Sequence, residues 1–126
     1  GAYIWTLEHI LPQSAEGNKL WRTELIKSGV NEDDLSSKLE EYTHKIGNLT
    51  LTGYNSEMSS KSFKDKRDYR EKDSLSEVGL KTKLWLNESI PNKNETIEQK
   101  DNWTLEDIDR RTDFLVNEIL SMYTLD

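Results

Sequence analysis

Cysteine is absent from this chain of 126 residues, which excludes disulfide bonds and zinc sites built on thiolates. No run approaches the roughly 20 apolar residues that a membrane-spanning helix requires. The N-terminus also lacks the charged segment followed by an apolar segment that is typical of a signal peptide. We therefore expect a protein that acts in the reducing cytoplasm and has no membrane partner.

Hydrophobic residues are scarce, at 33% of the chain, and charged residues make up another 33%. The core must therefore be small or extended, and the four Trp, five Tyr and two Phe are expected to supply much of its buried area. The length fits one domain over residues 1–126. The leading Gly1-Ala2 resembles a cloning scar and a strand follows almost at once, so we expect an excised piece of a larger protein.

An excess of positive charge is also missing. The net charge of -7 argues against a protein that coats nucleic acid through its overall field. Basic residues are nevertheless concentrated between Lys61 and Lys72, where six of them accompany three acidic residues. A solvated helix face is the usual interpretation of such a run, and phosphate binding is the alternative.

The first half of the chain predicts two strands separated by two helices. Residues 3–10 are rich in aromatic and β-branched side chains and predict a strand, which Pro12 ends. Helical spacing of apolar residues predicts helices over 18–28 and 32–42, and a turn at Gly47-Asn48 leads into a strand over 49–52. The apolar residues of the two helices are Leu20, Trp21, Leu25 and Ile26 in the first, and Leu35, Leu39 and Tyr42 in the second.

The second half is predicted to be helical. Asn55 and Ser56 cap a helix that continues to about Lys72, residues 73–88 form a further helical stretch, and Thr104 with Asp107 forms a capping box that opens a final amphipathic helix. The buried face of that last helix is predicted to contain Leu105, Ile108, Leu115, Ile119 and Met122. The predicted fold class is α+β: a small ββα unit, with a two-stranded β-hairpin and a helix, embedded in a mainly helical domain.

Three motifs of this unit carry polar residues that are suited to chemistry. They are Glu8-His9-Ile10-Leu11-Pro12-Gln13, Gly47-Asn48-Leu49-Thr50-Leu51, and Asn55 ahead of the basic run. Each has a structural explanation: a strand histidine is often a satisfied core residue, a turn asparagine tolerates unusual backbone angles, and Asn55 is a good N-cap. Their order along the chain is more informative than any one of them.

This order resembles the HNH nucleases, and specifically the nuclease domain at the C-terminus of GmrSD-like type IV restriction enzymes. The resemblance rests on EHILPQ at 8–13, HKIGNLTLTGYNS at 44–56, SFKDKRDY at 62–69, and on Trp103, Ile108 and Arg111. It covers nearly the whole chain, and EHILPQ is also similar to the opening motif of the HNH domain in RNA-guided CRISPR nucleases. It implies a ββα-metal core in the C-terminal fragment of a larger protein.

The resemblance implies roles for particular residues in hydrolysing a phosphodiester. His9 would be the base that activates water, and Asn48 would brace the loop or orient the imidazole. Glu8 and Asn55 would offer hard oxygen ligands to Mg²⁺ or Mn²⁺, although Asn55 stands where the name-giving pattern has histidine. The phosphate-binding residues would be Lys61, Lys64 and Lys66.

Two points of the site stay open at this stage. Glu8 and His9 are neighbours, which point to opposite faces of a regular strand, so both serve one site only if the strand ends or bulges there, as Pro12 favours. His44 is either a structural residue favoured by a helix C-terminus or a further metal or phosphate ligand.

We therefore expect a metal-dependent endonuclease of the HNH type that acts on DNA in restriction or phage defence. The resemblance implies an N-terminal NTP-handling and specificity domain in the same protein as a partner, and leaves oligomerisation open. One alternative is a non-catalytic module that binds nucleic acid or protein on the same scaffold. The other is a plain helical regulatory domain in which the motifs are coincidental.

Overall fold

The computed structural model describes residues 5–53, 61–69, 79–81 and 85–123. Its strands are β1 (Trp5–His9) and β2 (Leu49–Gly53), and its helices are α1 (Lys19–Lys27), α2 (Leu35–Tyr42), α3 (Phe63–Asp68), α4 (Trp85–Glu88) and α5 (Leu105–Met122). Short 3₁₀ turns lie at Ala15–Gly17, Glu32–Asp34, Ile46–Asn48 and Ile97–Gln99. The predicted α+β class, with a small sheet in a mainly helical chain, is confirmed.

The two strands form an antiparallel pair in which Glu8 lies opposite Thr50 and His9 lies opposite Leu49. Because side chains alternate along a strand, one face of the pair is buried and the other is open. Glu8, Thr50 and Thr52 are buried, whereas Leu7 is 61% exposed. Glu8 therefore lies on the inner face of the sheet, at the end of β1.

Helices α1 and α2 begin and end close to where the sequence predicts. The Asn18 side chain caps α1 by accepting from the backbone N–H groups of residues 20 and 21, and Gly29 follows the helix with a φ of 109°. All three of the apolar residues at helical spacing in α2 are buried. In α1 only Trp21 and Leu25 are buried, whereas Leu20 and Ile26 are exposed.

The helix predicted from Asn55 to Lys72 overlaps the described residues only at 61–69, and there the structure differs from the prediction. Asn55 lies outside the described residues. Ser62 opens α3 as a separate helix, because its hydroxyl accepts from the Asp65 N–H at 3.2 Å. The helix ends at Asp68, since Tyr69 has the extended backbone angles φ -62° and ψ 131°.

The predicted helical stretch over 73–88 is also interrupted. Residues 79–81 form a turn rather than a helix, and α4 covers Trp85–Glu88. The turn packs closely on α3, where the Leu80 N–H donates to the Lys66 carbonyl at 3.0 Å. A Cβ at Gly79 would collide with that same carbonyl.

The last helix, α5, holds the turn before β2 in place. The predicted capping box of Thr104 and Asp107 is confirmed. Ile108, Arg111 and Leu115 face the interior, and α5 packs on Ile46–Asn48. Ile119 and Met122 are 42% and 70% exposed, so the predicted buried face extends too far along the helix.

The hydrophobic core lies between α1, α2, the loop after β1 and the start of α5. Its largest side chains are Trp21 and Trp103, and Phe63 stacks on Trp103 with 5.7 Å between ring centroids. Within the described ranges, no helix is both long enough and apolar enough to span a bilayer.

Candidate functional site

Glu8 and His9 line one shallow cleft at the end of β1. The cleft has a volume of about 290 Å³ and is lined by Leu7, Glu8, His9, Pro12, Gln13 and Ser14. The strand ends at His9 and the chain bends away immediately after it, which allows neighbouring residues to reach the same cleft. The geometric requirement for a shared site is therefore met. We call this depression the Glu8–His9 cleft.

His9 is half-buried at the edge of this cleft and contacts the second histidine of the chain. Its ring meets the His44 ring edge to face, with centroids 5.5 Å apart and planes at 88°. Burial, and next the charge of His44, lower the pKa of His9 below its ordinary value of 6.5, and Glu8 partly opposes this. The lowered pKa favours the neutral form of the imidazole, which is the form that can accept a proton.

The Glu8 carboxylate is held from the interior by Lys66. The Lys66 Nζ donates to Glu8 Oε1 at 2.6 Å, to the His9 carbonyl at 2.8 Å and to the Ile10 carbonyl at 3.1 Å. Lys66 is 0% exposed, and burial lowers its pKa while Glu8 raises it. Lys66 is predicted from the sequence to hold phosphate, but its ammonium points inward, away from any nucleic-acid backbone that approaches the cleft.

Asn48 is completely buried and uses its whole side chain to hold the loop after His9. Its Oδ1 accepts from the Leu11 N–H at 2.8 Å and from Trp103 Nε1 at 3.0 Å. Its Nδ2 donates to the Leu11 and Thr43 carbonyls, each at 2.9 Å. These contacts brace the loop, as the family resemblance implies for Asn48, and none of them involves the His9 imidazole.

Arg111 performs a similar task at the start of β2. Its guanidinium donates to the Gly47 carbonyl at 2.9 Å and the Leu49 carbonyl at 2.7 Å, and to Leu86 and Ser89 at 2.9 and 3.0 Å. Burial is the main cause that lowers its pKa to about 10. In the sequence, only the family pattern pointed to this arginine, because nothing local distinguishes it from the neighbouring Arg110.

The remaining predicted phosphate-binding residues lie elsewhere. Lys64 is exposed and lines a separate cleft of about 230 Å³ beside Trp21 and Trp103. Lys61 is half-buried, and its carbonyl accepts from Trp21 Nε1 at 3.0 Å. Neither lysine lines the Glu8–His9 cleft, and the predicted metal ligand Asn55 falls outside the described residues.

Two further residues line the site although no role was predicted for them. They are Gln13, the last residue of the EHILPQ motif, and Ser14, which follows it. Gln13 and Ser14 line the Glu8–His9 cleft, and both are exposed. Gln13 also lines an adjoining cleft of about 290 Å³ that contains His44. The motif itself was the signal for Gln13, since it ends on that residue.

The donors that line the Glu8–His9 cleft suit a hard divalent cation. Glu8, Gln13 and Ser14 all carry side-chain oxygens, which Mg²⁺ and Mn²⁺ prefer. Across the described part of the chain, no three His, Cys, Asp or Glu side chains group together as a metal cage. Mg²⁺ in proteins keeps several waters and is usually bound through one or two carboxylates together with substrate phosphate.

Comparison with known families defines the class of protein to which this fold and site belong. Residues 2–118 match the family described as GmrSD restriction endonucleases, C-terminal domain, so the class is that of restriction endonuclease domains. The chain belongs to this GmrSD C-terminal domain family, as its motifs indicate. No curated protein and no solved structure matches the chain significantly.

Proposed function

We propose that this domain is an HNH-type endonuclease that hydrolyses DNA phosphodiesters with a divalent cation, Mg²⁺ or Mn²⁺. The observation that carries the proposal is the shared cleft in which a neutral imidazole, His9, lies beside a carboxylate, Glu8. A base and an oxygen ligand on one surface are the minimum for activating water against a phosphate ester. Membership of a restriction endonuclease family supports DNA as the substrate.

Among the described residues we assign Glu8 to the cation, and we keep Asn55, which lies outside them, as the second predicted ligand. A bound divalent cation would neutralise charge on the phosphoryl oxygens and stabilise the departing oxygen. Glu8 is suited to this role because it lines the cleft, and no described residue donates a hydrogen bond to its Oε2.

His9 removes the proton from the attacking water in this proposal. The proton moves from the water oxygen to a nitrogen of the neutral imidazole, which becomes a cation until solvent takes the proton away. Asn48 acts indirectly, since its bonds to Leu11 keep the loop after His9 in one conformation. His44 meets the His9 ring, and in this proposal it is a further metal or phosphate ligand.

Lys61 and Lys64 contact the DNA backbone away from the scissile bond, since neither lines the Glu8–His9 cleft. With a net charge of -7, the domain has no field of its own for retaining DNA. We therefore propose that an N-terminal NTP-handling domain of the same protein, in the cytoplasm, supplies target choice for restriction or phage defence.

A non-catalytic interaction module is the second candidate, and one observation favours it. Glu8 Oε1 is already neutralised by a buried lysine at 2.6 Å, as in a scaffold whose polar residues serve stability alone. Metal binding separates the two candidates, because an interaction module has no requirement for a cation at Glu8.

Plasmid cleavage tests the proposal. The chain, alone and within the full-length protein, should nick supercoiled DNA with Mg²⁺ or Mn²⁺ and stop with EDTA. Glu8→Gln should slow cleavage on the order of 100-fold, because a metal ion contributes several kcal/mol to the transition state. Glu106→Gln, at an exposed position of α5, is the control of equal charge. Equal rates for the two variants would refute the role of Glu8.

A further inference from the structure

We infer that Lys66 is a positioning residue of the nuclease site. Its ammonium holds one oxygen of the Glu8 carboxylate, so that the other oxygen is left towards the cleft for the divalent cation. The inference rests on the proposed function and deepens it, because it gives Lys66 an indirect role in place of phosphate binding.

The ammonium of Lys66 has no proton left for a phosphate. A lysine side chain carries three N–H donors, and the three acceptors within reach are Glu8 Oε1 at 2.6 Å and the carbonyls of His9 and Ile10 at 2.8 and 3.1 Å. The side chain of Lys66 is 0% exposed. A phosphate would have to displace one of these acceptors and also reach a site closed to solvent.

The contacts of Glu8 are unequal for its two oxygens. Oε1 is bound to Lys66, whereas no residue in the described ranges donates to Oε2. The side chain is only 10% exposed, yet Glu8 lines the cleft. A buried ammonium that fixes one carboxylate oxygen and leaves the other accessible is the arrangement by which an outer residue orients a metal ligand.

The same ammonium also ties Glu8 to the backbone of the proposed base. Its other two bonds end on the carbonyls of His9 and Ile10, at the point where β1 ends. Lys66 thus fixes the carboxylate and the chain direction at His9 with a single group. The relative placement of ligand and base depends on one side chain from α3.

Lys66 is itself firmly held. Its carbonyl accepts from Leu80 N–H at 3.0 Å, and Gly79 leaves room for this approach because it has no Cβ. The next residue, Arg67, donates to the Lys100 carbonyl at 2.7 Å and to Asp101 at 2.6 Å. Anchoring on both sides restricts the movement of α3, which an orienting residue requires.

Manganese binding to the metal-free chain tests the inference without relying on activity. We would measure Mn²⁺ affinity by calorimetry and by the EPR signal of free Mn²⁺, with folding followed by circular dichroism. Lys66→Met should weaken Mn²⁺ binding roughly 10- to 100-fold, the usual loss when a partner of a metal ligand is removed. Lys27→Met, at an exposed position of α1 that has no role in the site, should bind as the wild type does.

Chemical rescue separates the ammonium from the packing of its side chain. Because the chain has no cysteine, Lys66→Cys can be alkylated uniquely while unfolded and then refolded. Unmodified Lys66→Cys should bind Mn²⁺ weakly, because it lacks the ammonium that orients Glu8. Alkylation with bromoethylamine restores an ammonium and should return the Mn²⁺ affinity to within about threefold of wild type. Iodoacetamide, which adds a neutral amide, should leave binding weak. This arm also serves if Lys66→Met does not fold.

The outcomes distinguish this inference from the proposed function. If Glu8→Gln loses Mn²⁺ binding but folded Lys66→Met keeps it, or if the refolded aminoethyl protein stays weak, the role of Lys66 is refuted and the nuclease proposal stands. Tighter binding by Lys66→Met would mean that the ammonium competes with the cation, which also overturns the inference. A wild-type chain that binds no Mn²⁺ refutes both.

Discussion

Replacement of Asn48 by alanine tests whether one buried amide holds the loop that positions His9. The side chain is 0% exposed and makes four hydrogen bonds, to both backbone groups of Leu11, to the Thr43 carbonyl and to Trp103 Nε1. Alanine leaves all four partners unpaired. At about 1 kcal/mol for each buried group, Asn48→Ala should lower the free energy of unfolding by about 4 kcal/mol, a large part of the stability of a typical domain.

Urea unfolding followed by tryptophan fluorescence measures this loss, and Asn31→Ala is the matched control. Asn31 makes a single cap bond, accepting from Asp33 N–H at 2.9 Å, and is exposed. Its replacement should cost about 1 kcal/mol. If Asn48→Ala cost no more than Asn31→Ala, the four bonds would not be formed in solution and the bracing role would fail.

Three further predictions follow from the same contacts. Gly47→Ala should lower the free energy of unfolding by about 1–3 kcal/mol, because the new Cβ would collide with the backbone of α5. Gly17→Ala is the control and should have no comparable effect, since a Cβ at Gly17 would meet nothing within 4 Å. Equal urea midpoints for the two variants would contradict this prediction. Burial raises the pKa of Asp109, but hydrogen bonds from its lysine and tyrosine partners outweigh burial and leave the pKa below 3.8. The stabilisation is thus present above pH 3.8 and is lost as the pH falls through the lower folded value, so Asp109→Asn should lower the melting temperature at neutral pH and have little effect in acid; a constant difference at every pH would contradict it. NMR titration of the metal-free chain should give His9 a pKa below 6.5, and His44→Ala should raise it, since a neighbouring positive charge is removed; an unchanged value would show that the two rings do not interact.

The strand pair and its motifs could be predicted from local sequence. Period-two alternation places Glu8 and its partner Thr50 on one face, and the capping box at Thr104 and Asp107 is a purely local signal. The shared cleft of Glu8 and His9 follows from the early end of β1, which Pro12 indicates. The individual strands, the capping box and the end of β1 depend on residues that are close together in the chain, whereas the pairing of Glu8 with Thr50 joins two distant segments and was indicated only by the family resemblance.

Which of the basic side chains are buried and which are exposed could not be predicted from local sequence. A run of charges predicts a solvated face, yet Lys66 and Arg67 are 0% and 6% exposed while Lys64 faces solvent. Which lysine turns inward depends on the helical phase that Ser62 sets when it opens α3. It also depends on acceptors such as Glu8, 58 residues away in the chain, and such a partner has no local signature.

The buried asparagine illustrates the same limit. A turn position explains Asn48 on local grounds, but its actual partners include Trp103, 55 residues further along. The family resemblance includes both Asn48 and Trp103, but it does not indicate that their side chains are in contact. Only the packing of α5 against the turn before β2 reveals that Asn48 is a hub of hydrogen bonds.

Single-turnover DNA cleavage by His9→Ala, with and without added imidazole, tests the central claim most directly. If His9 is the base, the variant should lose roughly 10²–10⁴-fold in rate, retain the Mn²⁺ affinity of the wild type, and recover part of its rate as imidazole diffuses into the Glu8–His9 cleft. A folded His9→Ala chain that cleaves at the wild-type rate would contradict the account.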